Sequence, residues 1–331
     1  MDKRRVGATS VSVTSFGFGG TGIGSMYRPV AEVDAREALA SAWNHGVRYF
    51  DTAPMYGYGQ SERRLGDFLR DKPEDSYVIS SKVGRLLVPG SRDLDTDPFK
   101  SNMPFRAVFD YSYDAAMRSY EASLHRLGLG SIDIMFIHDI GADTHGSERQ
   151  PAVYREAVEG AYRALASLKA DGQIKAIGIG VNDTRVCLDM LRDTDIDCIL
   201  LAGRYTLLEQ GPLQSLFPAC ERKQVSIFLG GVFNSGILIN PDAKRPTYNY
   251  LEAPSDIVDR ARAIDSVGRS HGIALAAAAL AMPLRQSAVA CVLSGASSAT
   301  EMEQIAQWTG SSIPAAYWRD LKSRDLLDQA A

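Results

Sequence analysis

Short apolar runs alternate with amphipathic segments along the whole of this chain, and that alternation restricts the fold more than any other feature. The runs at 15–18, 47–50, 77–80, 132–137, 176–179, 196–201, 225–229 and 289–293 read as strands. The segments at 37–45, 61–69, 115–127, 154–170, 184–191 and 257–271 carry helical periodicity. A hairpin-like stretch, 3–6 and 11–14, precedes the first run. About eight strand–helix units in succession predict an α/β fold, a (β/α)8 TIM barrel with an N-terminal β-hairpin. No Ser- or Pro-rich linker divides them, so residues 1–331 are expected to form one domain.

Charge and cysteine usage narrow the function classes. A net charge of −4 over 331 residues leaves no electrostatic footprint for nucleic acid or an anionic membrane, and neither partner is expected. The most apolar stretch, 273–284, is too short to span a bilayer and contains Pro283. The basic start, Met1-Asp-Lys-Arg-Arg5, leads into Val6-Gly-Ala-Thr-Ser10 and not into an apolar core, so no secretory signal is expected. Cys187, Cys198, Cys220 and Cys291 form no CxxC pair and read as reduced, buried thiols. A cytoplasmic protein is the expectation.

Four residues mark the chemistry: Asp51 and Tyr56 in Phe50-Asp-Thr-Ala-Pro-Met-Tyr-Gly57, Lys82 in Ser80-Ser-Lys-Val-Gly84, and His138 in Ile137-His-Asp139. Each lies at or just past the end of a strand-like run, which in a parallel barrel gathers all four around one mouth. An unperturbed phenol titrates near pH 10, too high for a base at neutral pH, and the Lys82 ammonium is positioned to favour its anion. An ammonium in a barrel mouth needs a counter-ion, for which Asp51 is suited. A purely structural Lys82–Asp51 pair is the plainer alternative. His138 can hydrogen-bond a reacting oxygen. Its alternatives are a satisfied core histidine or, with Asp139, half of a metal site. No HxH or HExxH spacing occurs, and no metal is expected.

Two further segments stand out. Gly17-Phe-Gly19-Gly-Thr-Gly22 fits the dinucleotide-binding GxGxxG pattern after a strand. Residues 23–29 intervene before helical periodicity resumes, whereas a Rossmann helix opens inside the motif. The glycines are therefore read as a tight turn and a floor for a ligand. The long segment 84–110 mixes Phe99, Phe105 and Phe109 with Arg85, Arg92 and Arg106. It reads as a substrate-pocket lid, with a structural Ω-loop as the alternative.

With these blocks in one order, the sequence resembles the aldo-keto reductase superfamily across essentially its whole length. The resemblance implies that Tyr56 is the proton donor or acceptor, that Lys82 lowers its pKa, that Asp51 braces Lys82, and that His138 orients the carbonyl. It also implies a nicotinamide cofactor in the barrel mouth, with Asn182 holding the carboxamide and Gly20, Asp51, Gly230, Ser294, Gly295, Ser297, Thr300 and Gln304 among its contacts. Two positions depart from the family pattern: Ala202 stands where a Gln is common, and Gly230 where an aromatic stacks on the nicotinamide. The block Gly230-Gly-Val-Phe-Asn-Ser-Gly-Ile-Leu238 resembles a narrower branch of aldose 1-dehydrogenases, plant L-galactose dehydrogenase and the aldo-keto type of pyridoxal 4-dehydrogenase.

Ser298 and Glu301 form a capping box on the helix after the last strand, leaving backbone N–H groups suited to phosphate. Residues 291–304 hold no Lys or Arg to pair a 2′-phosphate, so NAD is expected over NADP. Tyr27, Tyr56, Arg85, His138, Asp139 and Arg204 are the candidate substrate contacts, with Tyr205 and Phe233 as aromatic candidates. Their polar members favour an aldose hemiacetal of the L-fucose or D-threo type over pyridoxal. A non-catalytic, cofactor-bound regulatory subunit, as serves potassium channels on this fold, is the alternative of a different class.

Overall fold

The computed structural model describes residues 1–331. β1 (Lys3–Arg5) and β2 (Ser12–Thr14) form an antiparallel hairpin, and β3 (Phe16–Gly19), β4 (Tyr49–Asp51) and β5 (Val78–Val83) begin the barrel. A second hairpin, β6 (Arg85–Pro89) and β7 (Phe105–Phe109), follows β5 directly. The barrel continues through β8 (Ile134–His138), β9 (Ala176–Val181), β10 (Cys198–Ala202) and β11 (Ser226–Gly230). After a short hairpin of β12 (Thr247–Tyr248) and β13 (Leu251–Glu252), β14 (Val289–Ser294) pairs with both β11 and β3 and closes the barrel. Every predicted run overlaps a barrel strand, several starting one or two residues early, and all the barrel pairings are parallel.

Helices alternate with these strands: α1 (Glu32–Asn44), α2 (Gln60–Leu69), α3 (Tyr113–Leu127), α4 (Ala142–Glu156), α5 (Arg163–Ala170), α6 (Thr184–Asp193), α7 (Leu216–Lys223), α8 (Ser255–Ser270), α9 (Leu275–Ala281), α10 (Ala299–Thr309) and α11 (Ala315–Ser323). The predicted helix 154–170 spans the end of α4, a π-helical turn over Ala157–Tyr162, and α5. That turn lets Ala161 N–H reach the Tyr111 carbonyl at 2.8 Å. Side chains cap three helices, Ser112 on α3, Asp183 on α6 and Ser298 on α10. No single helix is long and apolar enough to cross a membrane.

Two apolar layers hold the architecture. The larger, a cluster of 72 buried residues, lies mainly between strands and helices. The smaller joins Val6, Val11 and Val13 of the hairpin to inward residues such as Tyr49, Phe136, Leu200 and Phe228, so the hairpin plugs the barrel's N-terminal end. The opposite mouth is left to polar groups.

Strand register places those groups. Asp51 pairs with Ser80 across β4 and β5, and Lys82, two residues beyond Ser80, points to the same interior face. His138 pairs with Gly180 of β9, where an added Cβ would come within 3.5 Å of Lys82 Cε. That is ordinary contact, so only a side chain larger than alanine there would crowd the lysine stem.

Candidate active site

Lys82 and Asp51 are almost completely buried and form an ion pair at the barrel mouth. Lys82 Nζ donates to Asp51 Oδ1 at 2.8 Å, Asp51 Oδ2 at 2.7 Å and the Thr52 carbonyl at 2.8 Å. An ammonium carries three protons, so its hydrogen-bonding capacity is met. Beneath it Ser80 Oγ donates to Asp51 Oδ1 at 2.7 Å. That uses the serine proton, so the Tyr49 hydroxyl, 2.9 Å away, donates to Ser80 Oγ.

Tyr56 sits in the turn after β4, its N–H bonded to the Ala53 carbonyl at 3.1 Å. Gly57, at φ 63°, presses this turn onto the loop after β3, and a Cβ there would come within 2.3 Å of the Gly24 carbonyl oxygen. The Tyr56 ring is set between three groups. Lys82 Nζ lies 4.9 Å from its centre, Phe99 of the lid stacks at 6.0 Å, and His138 stands edge-on at 6.0 Å. Its hydroxyl has no protein partner. Burial pushes the Tyr56 phenol well above its ordinary pKa, Asp51 and Asp139 add to this, and Arg85 opposes it. Lys82 does not set this net direction: its protons are all committed to Asp51 and Thr52, and Asp51 offsets its charge.

Burial, followed by Arg85 and Lys82, holds His138 well below the usual histidine range, so the ring is neutral at physiological pH. Its Nδ1 is sealed without a partner, and Nε2 lies 3.4 Å from Asp139 Oδ2. Arg85, the first residue of the lid hairpin, binds Asp139 Oδ2 and stacks on Phe109 at 4.6 Å. Burial raises the Asp139 carboxyl above its ordinary range while Arg85 pulls it back. No cluster of three or more His, Cys, Asp or Glu is arranged to hold a metal ion.

The predicted lid is an ordered hairpin. Phe99 bridges Met26, and Tyr27 N–H donates to the Pro98 carbonyl at 2.7 Å, tying the lid to the loop after β3. Arg92 bonds the Phe105 and Ser101 carbonyls and Asp97 and stacks on Tyr58, so it holds the lid together. Arg204 is fixed by the Asn182 carbonyl at 2.8 Å and Asn249 Oδ1 at 2.9 Å. Tyr205 is a core residue packed on Phe217, and Phe233 packs on Trp308; neither expectation of a mouth contact accounts for that packing. Tyr27 is exposed at φ 66°, with its phenol pushed up to about 12 by burial of part of the ring and by nearby Tyr250. Tyr250 also makes Tyr56 harder to ionise, an influence that sequence periodicity does not mark.

The candidate cofactor residues stand at the C-terminal ends of β3, β4, β9, β11 and β14 and at the start of α10. Gly20 N–H donates to the Asp51 carbonyl at 2.8 Å, and the Asn182 amide has no partner within the protein. Ala202 and Gly230 are register partners, and a Cβ on Gly230 would meet nothing closer than 3.7 Å. The two positions together present a floor of small residues. Ser294 ends β14, and Gly295 lies so close to Gly19 that a Cβ would come within 2.4 Å of its carbonyl oxygen. Thr300 lies in the first turn of α10, and Gln304 bonds Gln307 one turn on. Glu301 Oε2 accepts from Ser297 N–H and Oγ, both at 2.8 Å, and pairs with Arg28, which also donates to Ser297 Oγ at 2.7 Å. Arg28 is a cation beside this loop that a reading confined to 291–304 misses.

Comparison with known proteins gives a consistent result. The Aldo/keto reductase family model matches residues 15–323. The chain is 40% identical to pyridoxal 4-dehydrogenase of Microbacterium luteolum, over 98% of each chain. It is 36% identical to D-threo-aldose 1-dehydrogenase of a Pseudomonas species, over 97% of this chain and 96% of that one. Among solved structures, aldo-keto reductase AKR11C1 from Bacillus halodurans superposes with a TM-score of 0.76 at 22% identity, covering 100% of this chain and 97% of the other.

Proposed function

The chain belongs to the aldo/keto reductase family and is an oxidoreductase that uses a nicotinamide cofactor on small molecules; from that premise we propose that it is a one-domain NAD-dependent dehydrogenase oxidising the cyclic hemiacetal of an aldose to its lactone. The arrangement that carries this reading is the free Tyr56 hydroxyl between neutral His138 and the Lys82–Asp51 pair. The nicotinamide, when bound, accepts a hydride from the substrate carbon. Asn182 would hold its carboxamide, Ala202 and Gly230 its ring, and the 294–304 loop its adenosine end.

The chain's own residues handle the proton. His138 holds the anomeric hydroxyl oxygen, and the Tyr56 oxygen, as phenolate, takes the hydroxyl proton as the carbonyl forms. Lys82 and Asp51 fix the site's charge without entering the proton path. The phenol's raised pKa makes alkaline solution the favourable regime for oxidation. In the reverse direction the same protonated phenol serves as general acid.

NAD is favoured because Glu301 already occupies the Ser297 N–H and pairs Arg28, groups that a 2′-phosphate would otherwise use. A second substrate, pyridoxal, which also closes to a hemiacetal, is supported by the Tyr56–Phe99 stack and by the self-contained bonding of Arg92 and Arg204. The test is NADH formation by purified protein with L-fucose, D-arabinose, L-galactose and pyridoxal. Aldose turnover yielding lactone supports the reading. Turnover of pyridoxal with none of the sugars replaces it with the second, and NADH from neither class refutes both. The regulatory-subunit alternative is set aside, because the near-full-length relatives are named as dehydrogenases.

A further inference from the structure

Asp139 is held more elaborately than a residue beside His138 needs to be. It adopts φ 51°, in the left-handed region that few residues other than Gly, Asn and Asp enter. Its N–H donates to the Gly180 carbonyl at 2.9 Å, and its own carbonyl lies 2.9 Å from His145 Nε2. The one proton of the Tyr111 hydroxyl is shared between the Asp139 and His138 carbonyls, each 2.8 Å away. The two residues are thus locked as one unit.

The carboxylate is fixed as firmly at one end only. Arg85 lies opposite Phe109 at the base of the lid hairpin, stacks on that ring and binds Asp139 Oδ2. The same oxygen lies 3.4 Å from His138 Nε2. Oδ1 receives no hydrogen bond from the protein and is not sealed from solvent, whereas the buried Arg85 Nε and His138 Nδ1 are both sealed and unpartnered. A simple counter-ion for Arg85 gains most by using both oxygens in a bidentate pair. Here one acceptor oxygen is left over beside the candidate catalytic histidine.

We propose that Asp139 Oδ1 accepts a hydrogen bond from a hydroxyl on the carbon next to the one oxidised, so that the Arg85–Asp139 pair reads that hydroxyl. The inference rests on the hemiacetal reading above and adds to it the substrate feature that is recognised. A carboxylate oxygen is an acceptor only, so it favours O–H over C–H, ether or carbonyl at that position. His138 and Tyr56 hold the reacting oxygen, and the carboxylate lies within one short contact of His138. The hydroxyl within its reach is therefore on the neighbouring carbon. A site built around such a bond rejects the analogue lacking the hydroxyl, because its own polar atom would be left dry.

The experiment compares D-arabinose with 2-deoxy-D-ribose, its 2-deoxy counterpart, in wild type and in Asp139→Asn. Asn tolerates the left-handed backbone, and with its carboxamide oxygen on Arg85 it turns an N–H donor toward the substrate in place of an acceptor. Wild type is expected to favour D-arabinose by about 10- to 100-fold in kcat/KM, the scale of a hydrogen bond to a charged group. In Asp139→Asn that ratio should fall by about tenfold, mainly through loss on D-arabinose, because a neutral amide N–H to the hydroxyl oxygen replaces a bond to a charged acceptor, with NAD affinity retained. A wild-type ratio near one, or equal losses on both sugars in the variant, overturns the proposal while leaving the dehydrogenase reading intact. If wild type oxidises pyridoxal alone, whose carbon next to the one oxidised bears no hydroxyl, the proposal is overturned. If it oxidises neither class, the hemiacetal reading fails and this inference falls with it.

Discussion

Lys82 meets Tyr56 only across the ring face, 4.9 Å from Nζ to the ring centre, because its three protons go to the two Asp51 oxygens and the Thr52 carbonyl. The ammonium therefore acts on the phenol through its field alone, and Asp51 opposes that field. A lysine placed to donate to the phenol oxygen would have depressed its pKa; this arrangement keeps the phenol protonated until the solution is alkaline.

Removing the phenol oxygen should isolate the proton transfer. Tyr56→Phe keeps the ring between Phe99 and His138, so cofactor affinity and thermal stability should hold while kcat falls by about 10²- to 10⁴-fold. Turnover at the wild-type rate would remove Tyr56 from the mechanism.

Breaking the buried pair should be costly in a different way. Lys82→Met leaves the Asp51 carboxylate unpaired in the interior, and about 3–5 kcal/mol of stability should be lost, read by denaturant unfolding. The pH optimum of oxidation should move upward, since the remaining Asp51 charge opposes phenol ionisation. The double variant with Asp51→Asn should recover part of the stability, a coupling that a pair without interaction would not give.

His138 makes a prediction about acid. Its folded pKa lies below the unfolded value near 6.5, so below that pH the unfolded chain binds a proton that the folded one does not. Stability is fully present above pH 6.5 and is lost as pH falls, by up to about 1.4 kcal/mol per unit from this group. His138→Gln should show a shallower decline between pH 6.5 and 5 in paired unfolding curves. The kcat/KM profile of wild type should show no histidine inflection between pH 6 and 8.

Cofactor choice should turn on Glu301. Wild type should bind NAD more tightly than NADP, and Glu301→Gln, which frees Arg28 and removes the negative charge from Ser297, should improve NADP affinity by about tenfold. Dissociation constants from protein fluorescence quenching check this without turnover. Equal wild-type affinity for the two cofactors would contradict it.

The barrel was legible because its strands are apolar runs set off by turns, and even the polar ends of those strands, Lys82 and His138, could be placed by their position after such a run. Shorter or uniformly apolar elements were not. Helix Leu275–Ala281 is wholly Ala and Leu, with six of its seven residues buried, so it carries no amphipathic stripe. Helix Leu216–Lys223 is too short for periodicity to separate it from a turn. At the site, Asp51, Tyr56, Lys82 and His138 meet as their motifs imply, yet the direction of the Tyr56 shift depends on where each Lys82 proton points, which no motif encodes. Arg28 reaches Glu301 and Ser297 from a loop distant in sequence, and only the fold brings it there.

The central claim, hydride transfer from a hemiacetal carbon with Tyr56 as base, is tested most directly with L-fucose carrying deuterium at C1. Incubation with NAD, followed by mass analysis of the reduced cofactor, should find one deuterium in the nicotinamide with wild type and almost none formed in the same time by Tyr56→Phe. Reduced cofactor without deuterium, or equal labelling by the Tyr56→Phe protein, would contradict the account.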